Sequence, residues 1–147
     1  MAVTASLNIA EARLRARSRL PRGLFEYIDR GTEDETGIAT SRTALDGLVF
    51  KPRVLVDVSK RDATTRLFGV SQPMPLVVAP TAVAGLVWYD GEVELAKAAA
   101  AVGIPFCVST QSITSVERIA GESGARLWFQ LYVWRSRERT RELVRRA

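Results

Sequence analysis

The sequence contains no histidine and a single cysteine, Cys107, among its 147 residues. Together these absences exclude a Cys/His zinc site, a Ser-His-Asp or Cys-His nucleophile pair and a histidine general base supplied by this chain. No metal site is expected. No intrachain disulfide can form, and a lone thiol fits a reducing compartment, so the expected location is the cytoplasm. Long apolar runs are also missing: the longest, residues 76–89, is interrupted by Pro80, Thr81 and Gly85 and falls short of the roughly 18–20 residues of a membrane span. The first residues lack the charged and apolar regions of a secretory signal. Any proton chemistry within the chain is left to Tyr, Lys, Asp or Glu.

What is present is an ordinary globular composition, 47% apolar and 25% charged. A chain of this size can bury roughly 70% of its unfolded surface, enough for a core without staples. The net charge of +5 comes mostly from arginines in residues 13–22 and 135–146. Both runs mix with Glu11, Glu138 and Glu142 at helical pair spacing, which reads as solvated faces of surface helices rather than a nucleic-acid interface.

Asn8 caps a helix carrying Ile9, Ala12, Leu14 and Ala16 that Pro21 stops. A second, short helix carries Leu24, Phe25, Tyr27 and Ile28 and ends at Gly31. Residues 34–48 form a third helical segment. Residues 54–58 and 64–68 are β-rich, and Gly69 turns the chain into a short hairpin. Beyond Pro73 the rhythm changes. Residues 76–79 and 104–108 are continuously apolar, as strands buried on both faces are, and residues 127–132 make a third strand. Between them, Asp90 opens a helix presenting Leu95, Ala99 and Val102, and Thr114 with Glu117 reads as a capping box. A last helix begins at Ser136.

Three successive βα units admit an open doubly wound sheet or a closed barrel. A doubly wound nucleotide site calls for a glycine-rich loop after its first strand, but Pro80-Thr81-Ala82 stands there. The expected fold is therefore α/β: the N-terminal part of a (β/α)8 TIM barrel, preceded by a helical segment and a short β-hairpin. The division expected is residues 1–72 for the helical segment and hairpin, and 73–147 for the first three βα units. A barrel of this kind needs about 250 residues, so a missing C-terminal barrel half is implied.

Barrel ligands bind at the C-terminal ends of strands. Here those ends carry Pro80-Thr81-Ala82, Ser109-Thr110-Gln111, and Gln130 with Tyr132. Gln130 and Tyr132, two apart, share one face. An amide offers donor and acceptor together, as a heteroaromatic edge demands, and a tyrosine hydroxyl suits a carboxylate. Spacing alone equally allows satisfied core polars, and reads Tyr27 as a core residue. Trp88 is either a pocket wall or packing, Cys107 reads as a small core residue, and Asp90, Glu92 and Thr114 read as helix-start residues.

Several separate motifs agree in order and spacing: Leu20-Pro21, Leu24-Phe25-Glu26-Tyr27-Ile28, Gly31-Thr32-Glu33-Asp34-Glu35, Phe50-Lys51-Pro52-Arg53, residues 75–82, residues 103–110 and Trp128-Phe129-Gln130-Leu131-Tyr132. In these the chain closely resembles the FMN-dependent 2-hydroxy acid oxidases and dehydrogenases, among them glycolate oxidase, lactate oxidase and mandelate dehydrogenase. The resemblance implies an FMN cofactor and oxidation of an L-2-hydroxy acid to the 2-keto acid. By matching positions, Ala79, Pro80, Thr81 and Ala82 would lie against the flavin ring, Ser109 and Gln130 would hydrogen-bond its edge, and Tyr27 and Tyr132 would bind the substrate. Gln111 would help select the substrate side chain. The family's histidine base, its carboxylate-gripping arginines and its phosphate loops match nothing in this sequence, so no catalytic residue is expected here and the segment alone is expected to be inactive. The resemblance also implies a homo-oligomer when intact. The rival expectation is a non-catalytic partial-barrel module for binding or assembly.

Overall fold

The computed structural model describes residues 6–147, which fall into two compact units divided between Asp57 and Val58. The hairpin thus groups by contacts with the βα units, where the sequence reading divides the chain after residue 72.

The first unit is helical: α1 (Ile9–Arg19), α2 (Arg22–Asp29) and α3 (Thr36–Asp46). Asn8 caps α1 by accepting the Glu11 N–H at 2.8 Å, and the Glu11 carboxylate reaches back to the Leu7 N–H at 2.8 Å. The first bond satisfies one of the N–H groups that a helix start leaves free, and the second ties the residue before the cap to the first turn. Pro21 forces Leu20 into an extended conformation (ψ 146°) and so ends α1. Arg13 joins α1 to α2 through a two-bond ion pair with Asp29, at 2.5 and 2.7 Å. Residues 54–58 are not a strand as expected. They are exposed and belong to no strand, and Leu55 sits at φ 57°, which breaks an extended run.

The second unit opens with β1 (Thr65–Leu67) and β2 (Val70–Gln72), an antiparallel pair closed by Phe68 and Gly69. Both turn residues have positive φ, 50° and 78°, as a two-residue turn matching strand twist requires. There follow α4 (Ala84–Val87), a single turn the sequence did not foretell, α5 (Gly91–Ala101), β3 (Phe106–Ser109), α6 (Val116–Ser123), β4 (Leu127–Gln130) and α7 (Arg137–Arg146).

β3 and β4 run parallel, Phe106 facing Leu127 and Ser109 facing Gln130. The expected first strand of the barrel, residues 76–79, contracts to one parallel bridge, Val78 with Phe106. Val78 donates to the Pro105 carbonyl at 2.9 Å and accepts from the Cys107 N–H at 3.0 Å. The ladder stops on either side because Pro80 and Pro105 have no N–H to continue it. Strands and helices alternate in α/β order, an incomplete (β/α)8 barrel that does not close.

One face of these strands packs on the helices. Phe106, Val108, Val93, Ala96, Ala99, Ile104 and Ile119 form the buried core, with Val78, Leu127 and Phe129 against it. Of the expected Leu95, Ala99 and Val102, Ala99 is buried but Leu95 and Val102 are exposed, and the buried side of α5 is Glu92, Val93, Ala96 and Ala99. Asp90 does not cap α5. It adopts φ 50°, and its carboxylate takes two bonds from Arg118 at 3.0 and 2.8 Å, a charge-assisted fork stronger than one backbone bond. The cap of α6 is Ser115 rather than Thr114, and the Glu117 carboxylate engages Arg146.

Candidate functional site

Side chains alternate across a strand, so with Val108 and Phe129 turned to the helices, Ser109 and Gln130 occupy the opposite face, which would line the barrel interior. The N-terminal part of this face is partly covered: the Phe68 ring from the hairpin meets the Trp128 ring edge-on at 5.0 Å. Its C-terminal part carries the polar residues.

Those residues form one network. Ser109, buried, donates from Oγ to Gln130 Oε1 at 3.4 Å, and the Thr110 N–H donates to the same oxygen at 3.2 Å. Ser109 Oγ in turn accepts the Gln111 N–H at 3.1 Å. The Thr110 hydroxyl donates to the Gln130 carbonyl and accepts the Tyr132 N–H at 3.0 Å. Gln130 Oε1 is thus engaged twice, and its Nε2 remains as a donor without a partner among the described residues. Thr110, to which the sequence reading assigned no role, locks the ends of two strands together. Its signal was faint, a threonine where a strand gives way to a loop.

The loop after Val78 holds Ala79, Pro80, Thr81 and Ala82. Thr81 donates to the Ala79 carbonyl at 3.4 Å, and Val83, which follows Ala82, sits at φ 49°. A β-branched residue there is strained by about 1–3 kcal/mol and persists only where its surroundings fix it. Here the Val83 N–H donates to the Gln111 carbonyl at 3.2 Å, so the first two βα loops are tied to each other. Tyr132 is exposed just past β4, and Trp88 is exposed after α4. Cys107 shares the face of Ser109, and burial pushes its thiol up, away from the reactive thiolate. Tyr27 lies exposed on α2 in the first unit, apart in sequence from the rest. Among the described residues no cluster of His, Cys, Asp or Glu could hold a metal ion. Nor is any helix long and apolar enough to cross a membrane.

Compared with known families, residues 16–147 match the model of the FMN-dependent dehydrogenases. The chain belongs to this family. It is 44% identical over 147 residues to an L-lactate dehydrogenase of Caulobacter vibrioides, covering 100% of this chain and 38% of that protein. To glycolate oxidase 1 of Zea mays it is 40% identical, over 95% of this chain and 38% of the relative. Among solved structures, a soluble mutant of the membrane-associated (S)-mandelate dehydrogenase from Pseudomonas putida superposes with a TM-score of 0.87 at 40% identity, covering 95% of this chain and 40% of that one. The chain therefore spans well under half the length of the relatives it matches.

The polar network fits the cofactor that the family name implies. A flavin ring edge presents carbonyl and nitrogen acceptors beside an N–H donor. The free Gln130 Nε2 donor and the Ser109 hydroxyl, held at adjacent strand ends by bonds at 3.4 and 3.1 Å, meet that mixed demand.

Proposed function

We propose that the protein oxidises an L-2-hydroxy acid to the 2-keto acid with FMN, and that this chain supplies the flavin-ring contacts and part of the substrate site. The observation that carries the reading is the Ser109–Gln130 pair, side by side on the face turned away from the helices at the C-terminal ends of parallel strands. When bound, FMN would supply the acceptor for the substrate's two electrons and α-hydrogen. Ser109 and Gln130 would hold the ring edge, and the Ala79, Pro80, Thr81 and Ala82 segment, braced by Val83, would lie against the ring and exclude water from it. Tyr27 and Tyr132 would bind the substrate carboxylate or hydroxyl through their phenol groups. We assign no catalytic residue to this chain, which has no histidine to take the hydroxyl proton. The proton acceptor and the phosphate contacts would come from the missing barrel half, and we propose a cytoplasmic homo-oligomer as the working form.

The test is the visible spectrum and intact mass of the native protein, purified as its source makes it, followed by anaerobic additions of L-lactate, glycolate and (S)-mandelate. Two flavin bands that bleach with one of these acids are the expected result, while residues 1–147 alone stay colourless and inactive. A native protein without flavin, or with flavin that no 2-hydroxy acid bleaches, overturns the reading and leaves a partial-barrel assembly module in its place.

A further inference from the structure

Glu92 stands in the first turn of α5 with 1% of its surface exposed. No Arg or Lys forms an ion pair with it among the described residues. An acidic side chain in that setting is costly to bury, and an apolar residue in phase with Val93, Ala96 and Ala99 would serve packing better. Its two oxygens are instead both spent on one loop. Oε1 accepts the Ile113 N–H at 3.3 Å, and Oε2 accepts the Thr114 hydroxyl at 3.1 Å.

That loop follows β3 and carries Gln111. From Glu92 a continuous path runs through Ile113 to Gln111, whose N–H bonds Ser109 Oγ and whose carbonyl takes the Val83 N–H, and from Ser109 to Gln130. The approach is close enough to demand a glycine. A Cβ at Gly85 would lie 2.7 Å from the Ile113 side chain and 3.0 Å from Glu92 Oε2. The carboxyl group therefore sits where the first two βα loops and the start of α5 converge, behind the network rather than in it.

We propose that Glu92 is a positioning residue for the active site. It fixes the loop after β3, and through Gln111 and Ser109 it sets the geometry of the ring-edge donors and of the substrate-facing loop. This rests on the FMN-dependent reading given above.

The test uses the native flavoprotein and two variants, Glu92→Gln, which keeps one acceptor oxygen, and Glu92→Leu, which keeps none. In Glu92→Leu, KM for the 2-hydroxy acid and the FMN dissociation constant are expected to rise about tenfold, the scale of losing a hydrogen bond to a charged group. The kcat of the flavin-loaded fraction stays within about twofold of wild type, since no reacting atom is touched. The flavin absorption bands shift, the Ile113 amide exchanges faster, and Glu92→Gln recovers much of each change. Unaltered KM, FMN affinity and spectrum in folded variants, with only the melting temperature lowered, would make Glu92 a packing residue and overturn the proposal. If only Glu92→Gln folds, the same readouts in that variant decide. Failure of the underlying reading looks different, because the wild-type flavin would then be bleached by no 2-hydroxy acid at all.

Discussion

The two units meet the same problem, burying apolar residues, with different means. In the unit that begins at Val58, strands alternate with helices, so Val93, Phe106, Val108 and Ile119 each find a facing layer and lose nearly all exposure. In the unit that ends at Asp57, helices of 8 to 11 residues have no sheet to cover, and none of α1, α2 or α3 contains a buried residue. Leu14, Ile38, Leu45, Leu48 and Phe50 stay open to solvent. The Asn8 cap on α1 and exposed ion pairs such as Arg22–Glu26 and Arg42–Asp46 hold its helices, and such pairs are worth little individually. Short helices are marginal without tertiary burial. The contrast teaches that amphipathic pattern alone does not make a core. A complementary layer does.

The contrast is broken most directly by removing one side chain from each unit. Ile119→Ala empties a site with 0% exposure and is expected to cost about 2–5 kcal/mol. Leu45→Ala, at 63% exposure, is expected to change stability by less than about 0.5 kcal/mol. Denaturant unfolding of the two variants measures both. Comparable losses would mean that the first unit is as tightly packed as the second.

Much of this organisation was legible in the sequence, because alternation of apolar runs with capped helices is a strong local signal. Asn8, Pro21, Ser136 and the turn at Gly69 all act locally, and local chemistry settled them. The readings that failed depended on distant partners. Nothing at Asp90 announced that Arg118 would claim its carboxylate, and nothing in residues 54–58 showed that no strand would come to pair with them. The strand at residues 76–79 shortened because Pro80 and Pro105 meet only once the register is known. At the site, Ser109 and Gln130 were visible as polar strand ends. Glu92 reads from the sequence as a helix-start residue, although its phase with Ala96 and Ala99 places it on the buried side.

Within the second unit, Gln72 is the exception to good burial. It is 2% exposed, and neither its Oε1 nor its Nε2 has a hydrogen-bond partner among the described residues. A buried amide left unpaired costs about 1–3 kcal/mol. Gln72→Met keeps the length of the side chain and removes both polar atoms, so a gain of about 1 kcal/mol is expected in thermal unfolding. A loss instead would show that the amide is satisfied in the working protein and that the hairpin is packed to serve a polar neighbour.

The smallest effect expected comes from the surface of the same unit, where Glu117 and Arg146 join α6 to α7 at 2.8 and 3.1 Å. The guanidinium bonds hold the Glu117 carboxyl at about 2, below its ordinary 4.5. A carboxylate depressed in the folded state stabilises it fully above the unfolded value, and this contribution is lost as pH falls from about 4.5 through about 2. Asp90, held down by Arg118, acts in the same direction. Both pairs are solvent-exposed, so salt and water screen them. In Glu117→Gln the decline of melting temperature between about pH 5 and pH 2 should be slightly shallower than in wild type, and added salt should close the gap. Parallel curves at low salt would mean that the pair joining the two helices contributes nothing, and that the core around Ile119 alone decides the unit's acid stability.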